Sequence, residues 1–126
     1  MPLVTVTVRK PKTAAFKAGV LDAVHACLVA NGVPVTDKFQ RVLELDAADF
    51  RYDASYPDLT SPRLDDFVLI EILWSAGRSV KIKKKFLTEL MATLASLGHD
   101  LENVMVAFKE TSWENWSFGG GRLIHT

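Results

Sequence analysis

The 126-residue chain has one cysteine, three histidines and no excess of either charge, with fifteen Lys and Arg against fifteen Asp and Glu. The lone Cys27 excludes an internal disulfide framework and a cysteine-rich zinc site. His25, His99 and His125 are widely separated and lack carboxylates at ligand spacing, so no metal site is expected. Balanced charge leaves no net field to attract a polyanion, and nucleic acid is not an expected partner. No run approaches the roughly 18 apolar residues of a membrane span. The start, "MPLVTVTVRKPK", lacks a basic region followed by a long apolar one, so a cytoplasmic protein is expected. With 48% hydrophobic and 24% charged residues, the composition fits a single globular domain over residues 1–126, large enough to bury its own core.

What is present is a pattern that occurs twice. Residues 3–8 alternate strand-favouring side chains, and "RKPK" ends the run. A helical stripe follows from near Thr13, with Phe16, Val20, Val24 and Cys27 on one face and Leu21 and Leu28 widening it. "NGVP" stops that helix, glycine suiting the cap and proline forbidding continuation. "QRVLEL" at 40–45 is the next strand. The second unit repeats the order: "FVLIEILW" at 67–74 as a strand, then Ser79 as N-cap of a helix through about Ser96. That helix carries the stripe Ile82, Phe86, Leu90, Leu94 and Leu97, with Lys81, Lys84 and Lys85 on the solvated side. "NVMVAFKE" at 103–110 is the fourth strand.

Two β-α-β units, about 1–46 and 66–110, with a C-terminal segment 111–126, predict an α/β (α+β) fold. A four-stranded mixed sheet carries two long helices on one face, and each parallel pair is joined by a right-handed crossover. The joining stretch "AADFRYDASYPDLTSPRLDD" is too long for a plain connector. A short strand, or a flap covering a site, is expected in it.

Proline directly behind the initiator methionine is the unusual feature. A strand tolerates proline at its first residue, where the missing N–H costs no ladder bond. The alternative is chemical: removal of Met1 leaves Pro2 as a secondary amine. Such an amine titrates near 8, and an environment that lowers it to about 6 makes it a neutral base at pH 7.

"ILWSAGRSVKIKKKFLTEL", "NVMVAFKE" and "WSFGGG", taken in order with Pro2, resemble the 4-oxalocrotonate tautomerases. "GVPVTDKFQ" at 32–40 and "NWSFGGGR" at 115–122 resemble the malonate semialdehyde decarboxylase-like branch of the same tautomerase superfamily. The resemblance covers about 100 residues and implies an enzyme without a cofactor, working on a small carbonyl compound that bears a carboxylate. It assigns Pro2 as general base and acid, and Arg78 as the group gripping the substrate carboxylate, a task that suits a planar guanidinium. Asp37 matches the aspartate associated with the proline and with water activation, although an aspartate there also suits a surface turn. Trp116 and Phe118 match aromatic residues that line the site. The decarboxylases carry further arginines where this chain has Trp74 and Ala76. That departure points away from malonate semialdehyde and toward a larger or more apolar substrate held partly by Trp74. Arg9, Lys10 and Lys12 are candidates for added positive charge.

Three functions follow from the resemblance. The first is keto–enol interconversion by the Pro2 amine, and the second is decarboxylation or hydration assisted by Asp37. The third is a catalytically silent binding trimer that keeps Met1, in which Pro2 is a tertiary amide with no basic lone pair. Members of this length assemble as homotrimers, and exposed sheet edges need such cover.

Overall fold

The structure, a computed structural model, describes residues 1–125. Strand β1 (Leu3–Arg9) leads into helix α1 (Ala14–Ala30) and strand β2 (Gln40–Leu45). Strand β3 (Val68–Ser75) leads into helix α2 (Val80–Ser96) and strand β4 (Val104–Thr111). The sheet order is β2-β1-β3-β4. Each unit's own strands are parallel, and the central β1–β3 pair is antiparallel. The two halves therefore run in opposite directions, and the sheet has two ends that mirror each other in connectivity. This is the mixed four-stranded sheet expected from the duplicated pattern.

Alternation decides which side is covered. Val4, Val6 and Val8 on β1 and Val68, Ile70, Ile72 and Trp74 on β3 are buried under the two helices. The helices present Val20, Val24, Cys27 and Leu28 from α1 and Phe86, Leu90 and Leu94 from α2. Burial of each such side chain contributes about 1.5–3 kcal/mol. The remaining stripe residues of α2 behave differently, Ile82 being 36% and Leu97 54% exposed. They sit at the two ends of the helix, where the sheet no longer lies beneath it. Cys27 is buried in the core, and burial pushes its thiol up, away from reactivity.

Each helix starts where expected. The Thr13 hydroxyl accepts from Phe16 N at 3.0 Å and the Ser79 hydroxyl from Ile82 N at 3.2 Å. Each such cap stabilises its helix by about 1 kcal/mol. Lys81, Lys84 and Lys85 are exposed, and Lys85 reaches Glu89 one turn on at 2.7 Å. No described helix is long and apolar enough to cross a membrane.

The opposite face of the sheet has no helix. Thr5, Leu43, Leu73 and Met105 lie on it beside charged Arg41, Glu71 and Lys109. Leu43 and Met105 are exposed, and the Lys109 amine pairs with Glu71 at 2.6 Å.

Contrary to one expectation, the stretch between β2 and β3 carries no strand; its only regular piece is a 3-10 turn at Ala47–Asp49. Pro57 and Pro62 both lack the N–H that a ladder requires. The segment packs instead over one end of the sheet, where Phe50, Tyr52 and Phe67 form an aromatic cluster with ring centroids 4.3–5.8 Å apart. The Asn103 side chain fastens it, accepting from Leu64 N at 2.7 Å.

Candidate active site at the chain start

At the other end of the sheet three segments converge on the N-terminus. After α1 the chain turns at Gly32, whose φ of +100° suits glycine. It then buries Val33 and tightens so that Asp37 N donates to Pro34 O at 3.0 Å. A His25 ring nitrogen lies 2.9 Å from Val35 O, and Val4 N donates to Phe39 O at 2.9 Å. These bonds draw the 33–39 segment along the start of β1. The Asp37 carboxylate consequently lies 3.5 Å from the Met1 amine, both largely shielded from solvent. The aspartate is therefore not a surface turn residue.

Arg78 arrives from the second unit. The chain leaves β3, turns through Gly77 at φ +111°, and places Arg78 directly before the Ser79 cap. Its guanidinium lies 4.9 Å from the Trp74 ring centroid and 5.5 Å from that of Trp113. Its Nη1 donates to Ser75 O at 3.4 Å. Trp113 is anchored by its own N–H to Ala76 O at 3.2 Å. Trp74, at 1% exposure, packs against Phe86 and Phe108 and forms a platform beneath the guanidinium.

The C-terminal segment supplies the wall. Trp116 and Phe118 stack with centroids 5.9 Å apart and planes 6° apart, and Phe39 continues the strip 5.8 Å from Phe118. Phe39, Trp113 and Phe118 remain substantially exposed. Pro2 itself is buried behind Met1.

The charges act on one another. Burial lowers the pKa of the terminal amine as the leading effect; Asp37 opposes this and Arg78 adds to it. Burial likewise lowers that of Arg78, with Asp37 opposing. An amine next to a guanidinium in a poorly hydrated corner disfavours its ammonium form. The terminal amine, the Asp37 carboxylate and the Arg78 guanidinium are thus electrostatically coupled at one end of the sheet.

The structure brings together Asp37, Arg78, Trp74 and the chain start, and places Trp116 and Phe118 in one strip with Phe39. Arg9, Lys10 and Lys12 lie elsewhere within this chain: seven residues of strand separate Arg9 from Pro2, about 23 Å at roughly 3.3 Å per residue. There Arg9 Nε donates to Phe50 O at 3.0 Å, its Nη1 pairs with Asp65 at 3.0 Å, and its guanidinium lies 4.2 Å from the Tyr52 centroid. Trp113, Phe39 and Ser75 are the neighbours that sequence reasoning passed over. Trp113 has a signal in retrospect, since "TSWENW" repeats tryptophan at i and i+3 around the assigned Trp116. Among the described residues no group of three or more His, Cys, Asp or Glu could hold a metal ion.

Two opposed β-α-β units thus bring the terminal amine, Asp37 and Arg78 to one end of a four-stranded sheet. The family profile described as "Tautomerase enzyme" matches residues 37–119, and the chain belongs to that family. It is 27% identical over 124 residues, 97% of this chain and 96% of the relative, to the "Probable tautomerase YusQ" of Bacillus subtilis (strain 168). Among solved structures it is similar to malonate semialdehyde decarboxylase, a protein with decarboxylase and hydratase activities. The identity is 29%, the TM-score 0.86, and the coverage 96% of this chain and 93% of that one. A fused 4-OT that forms a symmetric trimer shares the fold at TM-score 0.74 and 24% identity, covering 96% and 94%. The chain is thus an enzyme of the tautomerase superfamily, with isomerase-type or decarboxylase-type chemistry.

Proposed function

We propose that the protein interconverts the keto and enol forms of a small carbonyl compound bearing a carboxylate, with the Pro2 amine as general base and acid. The observation that supports this most is the terminal amine held 3.5 Å from Asp37, its pKa lowered by burial and by Arg78. After loss of Met1 the secondary amine of Pro2 is one residue deeper in the same corner. Arg78 pairs with the substrate carboxylate, fixing the acidic C–H near the amine. The amine takes that proton while the electron pair moves to oxygen, and the return of the proton completes the exchange. Trp116 and Phe118 exclude water and so strengthen both charge interactions. Trp74 supports the guanidinium and limits its freedom.

The exposed aromatic strip and the helix-free sheet face both favour a homotrimer in which neighbouring chains cover them. The test of the chemistry is ketonisation of phenylenolpyruvate by Pro2→Ala. Loss of at least 100-fold in kcat/KM is expected, within the range general-base catalysis supplies, and undiminished turnover would sink the reading.

A second reading has a specific observation behind it. Asp37 is close enough to the amine to share a water with it, and the similarity to malonate semialdehyde decarboxylase is extensive. In that case Asp37 orients the water, and carbon dioxide is released from a three-carbon β-keto acid. Trp74 and Ala76, standing where the decarboxylases carry further arginines, weigh against it. Absence of carbon dioxide release from such an acid excludes it.

A further inference from the structure

The stretch that leaves β4, "TSWEN" at 111–115, is pinned as soon as the strand ends. Asn115 N donates to Ser112 O at 3.0 Å, and Asn115 Nδ2 donates to the Thr111 hydroxyl at 2.8 Å. These bonds close a 3-10 turn over Trp113–Asn115 and send the Trp113 indole back across the neighbouring strand end. There its Nε1 donates to Ala76 O at 3.2 Å, while Ala76 N donates to Thr111 O at 2.8 Å. Both polar main-chain groups of Ala76 are thus tied to the C-terminal segment, two residues before Arg78.

The same indole reaches the guanidinium, whose central carbon lies 5.5 Å from the Trp113 ring centroid and 4.9 Å from that of Trp74. Among the described residues the only hydrogen bond that the Arg78 side chain donates is long, 3.4 Å from Nη1 to Ser75 O. Most of a five-donor fork is left unused. A carboxylate of the chain would orient the fork more firmly, as Asp65 helps to do for Arg9, but it would occupy the donors that a bound carboxylate needs. An aromatic face attracts a guanidinium without spending its N–H groups. The two indoles therefore restrain Arg78 and keep it available. Trp74 is held by the core, whereas Trp113 depends on its bond to Ala76.

We propose that Trp113 is a positioning residue for Arg78, its ring holding the guanidinium ready for an incoming carboxylate and its N–H holding the ring. This deepens the proposed function and rests on it, since Arg78 is there the group that pairs with the substrate carboxylate. Loss of the ring leaves the charge of Arg78 in place but lets the side chain sample orientations in which a two-bond pair with a carboxylate does not form. The cost falls on the charged group of a ligand and spares its apolar part. That separates positioning from membership of the aromatic wall, where the cost falls on the apolar part.

The test is calorimetric binding, on Met1-processed protein, of 3-phenylpropanoate and of 3-phenylpropanamide, which has the same ring and chain but no charge. Wild type is expected to bind the carboxylate about tenfold more tightly, the size of a charge-assisted contact. Arg78→Ala should abolish that preference. Trp113→Leu should weaken the carboxylate about fivefold, the size of one cation–π contact, and leave the amide unchanged. In the Arg78→Ala background it should change neither ligand. Trp113→Phe keeps a ring and should recover part of the loss. An intact preference in Trp113→Leu overturns the proposal, as does equal weakening of both ligands, a further loss of carboxylate binding in the Arg78→Ala background, or a Trp113→Phe as damaging as Trp113→Leu. Should Trp113→Leu fail to fold, Trp113→Met, also without a ring, carries the same comparison. A wild type without preference, or an Arg78→Ala that keeps it, refutes the carboxylate grip itself and the proposal with it. Loss of preference in Arg78→Ala with none in Trp113→Leu refutes the positioning alone.

Discussion

The two ends of the sheet are built alike and finished differently. At each, a strand leads by way of an arginine, Arg9 as the last residue of β1 and Arg78 in the turn after β3, into a capped seventeen-residue helix. At the Arg9 end the 46–66 stretch closes over the turn: Phe50 O, Asp65 and the Tyr52 ring engage the guanidinium, and Lys12 donates to Asp65 O at 3.0 Å. At the Arg78 end, among the described residues, the side chain has one hydrogen bond, to Ser75 O, and two aromatic rings. An arginine held by several partners is a structural fastening, whereas one with more donors to spare can receive a ligand. Duplication of the unit thus gives two comparable ends, and the inserted stretch packs over one of them.

That contrast can be broken in order of effect. Arg78→Ala should reduce kcat/KM for phenylenolpyruvate by about 100-fold, the value of a paired, charge-assisted contact. Its denaturation midpoint should change little, and steady-state kinetics beside a urea titration read both. Arg9→Ala should do the reverse. A loss of about 1–2 kcal/mol in stability follows from its hydrogen bonds and cation–π contact, with kcat/KM within twofold of wild type. Equal kinetic damage from the two substitutions contradicts the assignment of one working end.

The smallest expected effect is in pH dependence. In the proposed mechanism the neutral Pro2 amine is the active form, so kcat/KM should hold its full value above that amine's pKa and decline as pH falls through it. At the terminal amine of the full chain Asp37 opposes the lowering by burial and Arg78. Asp37→Asn should therefore move the acidic limb of the profile to lower pH, a shift read from kcat/KM between pH 4 and 8. Movement to higher pH contradicts the electrostatic reading of the pair.

Much of the fold was legible because its elements follow single rules. Period-two alternation marked β1, an apolar strand-favouring run marked β3, the Thr13 and Ser79 caps marked both helix starts, and "NGVP" marked the end of α1. The order β2-β1-β3-β4 with an antiparallel centre was not, since strand adjacency depends on contacts between units that no local pattern records. The 46–66 stretch misled for a related reason. Its aromatic residues read as a strand or a flap, and only the position of Arg9 shows that they fill a turn. At the site, Pro2, Arg78 and Asp37 were approachable through motif order. Trp113 and Phe39 were not, for their places beside Arg78 and Phe118 depend on how the C-terminal segment and the 33–39 turn pack.

The proposed chemistry turns on whether the chain begins at Met1 or at Pro2. Retained Met1 makes the Pro2 nitrogen a tertiary amide, whose lone pair is delocalised into the carbonyl. The direct measurement is ketonisation of phenylenolpyruvate by samples whose intact mass gives the fraction lacking Met1. Specific activity is predicted to rise in proportion to that fraction and to vanish when Met1 is wholly retained. Equal activity in processed and unprocessed protein would contradict a catalytic role for the Pro2 amine.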